Sequence, residues 1–94
     1  MFDLTGKRAL VTGATGGIGA SIARALHTQG AEVALSGSRE GVLHELALEL
    51  GGHAHVLPSD LSDGKAASAL PAQAVETMGG IEVLVHCAGI TRDN

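Results

Sequence analysis

Apolar and polar positions along this chain follow two alternating patterns. Short runs of Val, Leu, Ile and Ala predict β-strands, because such residues fit a pleated and buried surface. These runs are RALVT (8–12), EVALS (32–36), HAHVL (53–57) and IEVLVH (81–86). The longer segments between them predict helices, and two of these segments carry apolar residues every three or four positions, as expected for one face packed on a sheet.

The helical segments differ in regularity. The apolar stripes of the first two consist of Ile18, Ile22 and Leu26, and of Val42, Leu43, Leu46, Ala47 and Leu50. Each predicted helix is followed by glycine, which ends a helix easily because it tolerates a left-handed conformation. These glycines are Gly30, Gly51–Gly52 and Gly79–Gly80. In the third segment Ser62 or Asp63 is a candidate cap, and Pro71 predicts a kink or a late start.

Strands that alternate with helices at this spacing need crossover connections, so the sheet should be parallel and wound with the right hand. We therefore predict an α/β fold, the N-terminal part of a Rossmann-like doubly wound sheet with βαβαβαβ order and strand order 3-2-1-4. EVALS and IEVLVH are almost continuously apolar, as expected for strands covered on both faces. Residues 1–94 are predicted to form one domain.

Composition and charge exclude several classes of function. The chain has 94 residues, a formal net charge of −4 and basic residues that are scattered, so nucleic acid and anionic membranes are not expected partners. Cys87 is the single cysteine, and the N-terminus lacks the pattern of a signal peptide. We therefore predict a cytoplasmic protein. There is no tyrosine, so the chain carries no phenol for catalysis.

The segment TGATGGIG (12–19) joins the first strand to the first helix. In that context Gly13 permits a sharp turn, Gly17 permits close approach of a pyrophosphate, and Gly19 permits close packing of the helix on the sheet. The helix start would present free N–H groups to the anion. No Lys-Ser/Thr pair follows, which argues against an ATPase or GTPase. The alternative, glycines that serve only a tight turn, stays open.

A basic residue follows the second strand. Arg39 lies twenty residues after Gly19, where doubly wound folds place the group that meets the adenosine ribose. A guanidinium beside the Ser38 hydroxyl suits a 2′-phosphate, because it makes charge-assisted and often bidentate bonds to phosphate oxygens. This pair predicts NADP(H) rather than NAD(H). The alternative is that Arg39 caps the next helix or lies in solvent.

These residues resemble the short-chain dehydrogenase/reductase family, whose T-G-x-x-x-G-x-G signature matches Thr12 to Gly19. More narrowly, GKRALVTGATGGIG, the Asp60-Leu61 pair and AGITRDN resemble the bacterial 3-oxoacyl-[acyl-carrier-protein] reductases. The resemblance implies that the phosphates and ribose meet the glycine turn, the adenine meets Asp60-Leu61, and the nicotinamide ribose meets the segment after the fourth strand. The candidate cofactor-binding residues are Gly13, Thr15, Gly16, Gly17, Ile18, Gly19, Ser38, Arg39, Asp60, Leu61, Cys87, Ala88 and Gly89.

The resemblance also implies an activity. Family members of this kind transfer a hydride from NADPH to a 3-oxoacyl group carried on acyl carrier protein, a step of fatty-acid biosynthesis, and act as homo-oligomers. The family's catalytic Ser, Tyr-x-x-x-Lys pair and Asn all belong to segments downstream of the matched part, so no catalytic residue is assigned here. We expect the cofactor-binding half of a reductase, inactive alone. The alternative is a non-enzymatic dinucleotide-binding or interaction module.

Two further expectations concern the fourth strand and the histidines. The family usually carries Asn-Asn-Ala-Gly where this chain has His86-Cys87-Ala88-Gly89, and we interpret Cys87 as a small buried hydrophobe. His53 and His55 should share one face of the third strand, but no acid or thiol has ligand spacing with them, so no metal site is predicted. Part of the sheet next to the fourth strand should be bare, which predicts self-association.

Overall fold

A computed structural model describes residues 3–59 and 64–87. Within these residues, strands and helices alternate along the chain as predicted. In chain order they are β1 (Arg8–Thr12), α1 (Gly17–Thr28), β2 (Glu32–Leu35), α2 (Glu40–Leu50), β3 (Ala54–Val56), α3 (Gly64–Met78) and β4 (Val83–His86). The helix-ending glycines are confirmed, since Gly30, Gly51 and Gly79 all have a positive φ.

The described strands form one parallel sheet in the order β3-β2-β1-β4, which confirms the predicted topology. In the register of this sheet, Leu10 of β1 lies between Ala34 of β2 and Leu84 of β4. All carboxyl ends therefore lie at one edge. The chain leaves β1 toward β2 on one side, while β4 lies on the other side, and such a switch point opens a crevice in doubly wound sheets.

Helices α1 and α2 cover one face of the sheet. Their buried residues pack on alternate residues of β1 and β2, in a cluster of Ala9, Val11, Val33, Leu35, Ala23, Leu43 and Leu46. Helix α1 contributes only small buried residues, Gly19 and Ala23, so its axis can lie close to the strands. The predicted stripe is wrong at Ile18, which is 74% exposed at the start of the helix.

Helix α3 covers the opposite face. Leu70, Ala74 and Met78, spaced four residues apart, pack on Leu10 and Ala34. The predicted late start of this helix is wrong, because it begins at Gly64 and continues through Pro71. The candidate caps Ser62 and Asp63 lie outside the described residues.

Strand β4 is covered on one face only within the described part of the chain. Its residues alternate between half-buried and exposed, and Leu84 is 60% exposed beside the buried Leu10. The expectation of a strand covered on both faces is therefore wrong for β4 here, whereas the bare patch that was predicted next to it is present.

Charged residues line the amino edge of the sheet. The Arg8 guanidinium bonds to the Glu82 carboxylate through Nε at 3.0 Å and Nη2 at 2.5 Å, and the Arg8 backbone N–H donates to the same carboxylate at 2.7 Å. These hydrogen bonds, first the guanidinium and then the backbone N–H, lower the pKa of Glu82 to about 2. On the next strands, Glu32 pairs with His55 at 2.5 Å. This edge holds strands together and lies opposite the crevice.

Strand β3 is shorter than predicted. His53 precedes it in a turn with φ 66°, so it does not alternate with His55 along a strand, and that expectation is wrong. Histidine is among the residues that adopt this left-handed conformation more readily than most. None of the described helices is both long enough and apolar enough to span a membrane.

Candidate functional site

The candidate site lies at the carboxyl edge of the sheet, where the loops after β1, β2 and β4 come together. The loops after β1 and β2 begin where buried strands end, so the core fixes their starting points, whereas β4 is only half-buried. Nine of the thirteen predicted residues are described: six lie in these loops and three, Gly17, Ile18 and Gly19, lie in the first turn of α1. The other four, Asp60, Leu61, Ala88 and Gly89, lie outside the described residues.

Gly13 makes the turn off β1. Its φ is 70°, and a Cβ at this position would overlap the backbone carbonyl oxygen of Cys87. Both facts exclude a side chain, so the first glycine of the motif is required by backbone geometry. Cys87 itself is half-buried rather than buried, because it lies just after β4 at the edge of the crevice. The expectation that Cys87 is a small buried hydrophobe is therefore wrong.

The start of α1 is open. The N-cap residue is Gly16, which has no side chain to cap the helix, and the first helical hydrogen bond runs from Ala20 N–H to the Gly16 carbonyl at 2.9 Å. Within residues 3–59 and 64–87, the N–H groups of Gly17, Ile18 and Gly19 have no acceptor. Unpaired N–H groups and the helix dipole both favour an anion at this position.

The two remaining glycines of the motif have different surroundings. Among the described residues, a Cβ on Gly17 would meet no atom within 4 Å, so they leave this face of the turn open to a ligand. A Cβ on Gly19 would overlap the Gly13 carbonyl oxygen, so this glycine lets α1 pack against the turn. Among the described residues, backbone therefore fills the side of the turn at Gly13 and Gly19, and the side at Gly17 is left open.

Ser38 and Arg39 lie in the loop between β2 and α2, and both are exposed. Arg39 is the N-cap residue of α2, but it caps with its backbone: its carbonyl accepts from the N–H groups of Val42 and Leu43. Within the described residues the guanidinium has no partner. The alternative interpretation, in which Arg39 caps the next helix, is therefore correct for its backbone. Its side chain remains available to an anion.

Backbone contacts join this loop to the glycine turn. Ala14 N–H donates to the Ser36 carbonyl at 2.9 Å, and Ser59 N–H donates to the Gly37 carbonyl at 3.1 Å. Thr15 packs on Gly37, whose absent side chain leaves room for it. Sequence reasoning missed Ser36 and Gly37, although a glycine between two serines directly after a buried strand was a visible signal of close packing.

Two buried hydroxyls near this junction lack partners. Within the described residues, Ser36 Oγ and Ser59 Oγ make no hydrogen bond, and Ser36 is fully buried. An unpaired buried hydroxyl costs roughly 1–3 kcal/mol, so such groups usually meet a ligand or an ordered water. Both hydroxyls are enclosed, so the feature that leaves room for a polar ligand among the described residues is the open side of the turn at Gly17.

His86 takes part in a bond between strands. Its Nδ1 lies 2.9 Å from the hydroxyl oxygen of Thr12, directly opposite on β1. An imidazole nitrogen can either accept from the threonine hydroxyl or donate to it. The replacement of the family's amide at this position therefore leaves β1 and β4 joined at the crevice.

Two other features lie apart from this site. The described residues contain no group of three metal-ligating side chains. A cavity of about 390 Å³ opens at the amino edge of the sheet and is lined by residues that include Lys7, Arg8, Glu32 and His53. None of the predicted cofactor-binding residues lines this cavity.

The chain is similar to known proteins in both sequence and fold. Residues 7–94 match the family model described as short chain dehydrogenase. Over 93 residues the chain is 50% identical to nodulation protein G of Rhizobium sp. (strain N33), which covers 99% of this chain and 38% of that protein. It is 42% identical over 93 residues to the 3-oxoacyl-[acyl-carrier-protein] reductase of Rickettsia bellii, covering 99% of this chain and 37% of the relative.

Among solved structures, the chain is similar to the 3-ketoacyl-(acyl-carrier-protein) reductase of Brucella melitensis complexed with NADH. The TM-score is 0.81 at 29% sequence identity, covering 87% of this chain and 34% of that one. The chain thus spans well under half the length of the proteins that it matches.

Proposed function

This chain belongs to the short chain dehydrogenase family, and we propose that it binds NADP(H) as the cofactor-binding part of a 3-oxoacyl-[acyl-carrier-protein] reductase. One observation carries the proposal. The α1 helix begins with three N–H groups that have no acceptor in the described residues, behind a glycine turn whose outer face is empty. A pyrophosphate matches this arrangement in charge and in its need for N–H donors.

The choice of NADP(H) over NAD(H) rests on the loop after β2. Ser38 and Arg39 are exposed there, and the guanidinium has no partner within the described residues, so it is free to bind a 2′-phosphate. The Brucella relative is complexed with NADH, so likeness alone does not choose between the two dinucleotides. The argument for NADP(H) is therefore the charge of Arg39 at the position that meets the ribose.

The residues of this chain would bind and orient the cofactor. Bound NADPH supplies a hydride at the nicotinamide ring. Gly17, Ile18 and Gly19 would hold the pyrophosphate, Ser38 and Arg39 the 2′-phosphate, and the proposed contacts of Asp60-Leu61 with adenine and of Ala88-Gly89 with the nicotinamide ribose complete the set. The sequence contains no tyrosine, so this chain holds no phenol to protonate the developing alkoxide.

The proposed substrate is a 3-oxoacyl thioester on acyl carrier protein, reduced to the 3-hydroxyacyl product of fatty-acid elongation. The support is the 42% identity to the Rickettsia reductase, which covers 37% of that protein. In the same proposal the complete enzyme works as a homo-oligomer in the cytoplasm. Nodulation protein G is the more similar of the two relatives at 50% identity, and the acyl substrate is proposed from the relatives that are named as reductases.

Calorimetric titration of the chain with NADPH and NADH tests the proposal. We expect NADPH to bind more tightly than NADH, and we expect Arg39→Glu to remove that preference while Arg39→Lys retains part of it, because lysine keeps the charge but loses the fork of donors. We also expect no reduction of an acetoacetyl thioester by this chain alone. A folded protein that binds neither dinucleotide would contradict the proposal and favour a non-enzymatic interaction module.

A further inference from the structure

Gly37 is buried two residues after the end of β2 and lies against Thr15 of the glycine turn. A Cβ added to Gly37 would lie 2.9 Å from Thr15 Cγ2, 3.2 Å from Thr15 Oγ1 and 3.4 Å from the Thr15 backbone nitrogen. The first of these distances is shorter than carbon atoms tolerate without moving apart. The missing side chain of Gly37 is therefore the space that Thr15 occupies.

This contact lies between the two proposed phosphate-binding regions. On one side, Thr15 precedes the N-cap of α1, where the pyrophosphate would bind. On the other side, Gly37 precedes Ser38 and Arg39, which would bind the 2′-phosphate. The hydrogen bond from Ala14 N–H to the Ser36 carbonyl joins the same two segments one residue earlier in each. The pair thus sets how far apart the two regions lie.

The separation matters because the pyrophosphate and the 2′-phosphate are covalently linked in one ligand. Contacts to both can form together only if the two loops stand at the distance that the adenosine imposes. NADH has no 2′-phosphate, so its binding depends less on where the second loop stands.

We propose that Gly37, through its contact with Thr15, determines the preference of this site for a dinucleotide that carries a 2′-phosphate. The inference rests on the proposed function, since it names the position that tunes the same site. Gly37 is a positioning residue in this account, because it touches Thr15 rather than the ligand. Arg39 supplies the charge, and the contact of Thr15 with Gly37 positions the loop that carries it.

The test is a double-mutant cycle read out as affinity for NADPH and for NADH. Gly37→Ala should weaken NADPH binding about tenfold and NADH binding much less, a loss in the range measured for coupled neighbouring residues. Thr15→Ser removes the Cγ2 atom that the new methyl group would strike. In the Thr15→Ser background, Gly37→Ala should therefore cost NADPH affinity about threefold or less.

Gly41→Ala is the matched control, because it adds the same methyl group four residues later, where no atom of the described residues would lie within 4 Å of it. It should leave both affinities unchanged. Thr15→Val is a second variant that keeps the shape of Thr15 without its hydroxyl. It should preserve the ratio of NADPH to NADH affinity even where both fall, since the inference depends on shape.

The outcomes separate this inference from the proposed function. If the unmodified chain binds neither dinucleotide, the proposed function fails and the inference fails with it. If it prefers NADPH but Gly37→Ala behaves like Gly41→Ala, or if Thr15→Val abolishes the preference, only the inference is overturned. Should Gly37→Ala alone not fold, recovery of folding and of NADPH preference in the double variant supports the inference, and a double variant without that preference overturns it.

Discussion

Two glycines in the first turn of α1, Gly17 and Gly19, should respond to the same substitution in opposite ways. A methyl group on Gly19 would overlap the Gly13 carbonyl oxygen, and Gly13 cannot retreat because it lies against the Cys87 carbonyl. A methyl group on Gly17 would meet nothing within 4 Å in the part of the chain that the structure describes. The comparison therefore separates the packing role of one glycine from the ligand-binding role of the other.

The expected magnitudes follow from these surroundings. Overpacking of this kind costs about 1–3 kcal/mol, so Gly19→Ala should lower the free energy of unfolding by that amount. For a domain of this size each kcal/mol corresponds to about 4–8 °C in the melting temperature. Gly17→Ala should leave stability unchanged or raise it by up to about 1 kcal/mol, because alanine favours a helix over glycine.

The assay is urea unfolding followed by circular dichroism, paired with NADPH titration of the folded variants. Gly17→Ala should keep its stability and lose NADPH affinity, because its methyl group enters the space proposed for the pyrophosphate. Gly19→Ala should instead lower the free energy of unfolding. Equal unfolding free energies for the two variants would refute the close packing of α1 on the glycine turn.

Three other predictions concern β4 and its contacts with β1. Arg8 lowers the pKa of Glu82 from 4.5 to about 2, so this pair stabilises the fold above pH 4.5. That contribution is lost as the pH falls from 4.5 through about 2. Glu82→Gln should therefore flatten the dependence of the unfolding free energy on pH in this window. His86→Ala should cost about 0.5–1.5 kcal/mol through the lost bond to Thr12, whereas His86→Asn should cost less, as measured by urea unfolding. Leu84→Ser should reduce self-association in sedimentation velocity, and an unchanged profile would argue against the bare patch as its cause.

Much of the fold was predictable from periodicity, because the signals agree with one another. The alternation of apolar runs and helical stripes requires crossover connections and so a parallel sheet, and the observed order β3-β2-β1-β4 is the one predicted for a doubly wound fold. Strand β1 has the predicted bounds, Arg8–Thr12. The glycine turn was predictable for the same reason, since a conformational demand at Gly13 admits no other residue.

What sequence reasoning missed depends on contacts between segments that are distant in the chain. Ile18 fits the periodicity of α1 yet is exposed, because Gly19 and Ala23 bring another face of the helix against the sheet. The partnership of Gly37 with Thr15 is visible only after β1 and β2 are paired in register. Pro71 is tolerated inside α3, which no local preference would predict.

The central claim is that a dinucleotide binds at the carboxyl edge of the sheet, on the start of α1. A ¹H–¹⁵N correlation spectrum recorded during NADPH titration tests it most directly, because every backbone N–H reports separately. We predict that the largest shifts fall on Gly17, Ile18 and Gly19, with a second group at Ser38 and Arg39. Shifts confined to the amino edge around Lys7 and His53, or no shifts at saturating NADPH, would contradict the claim.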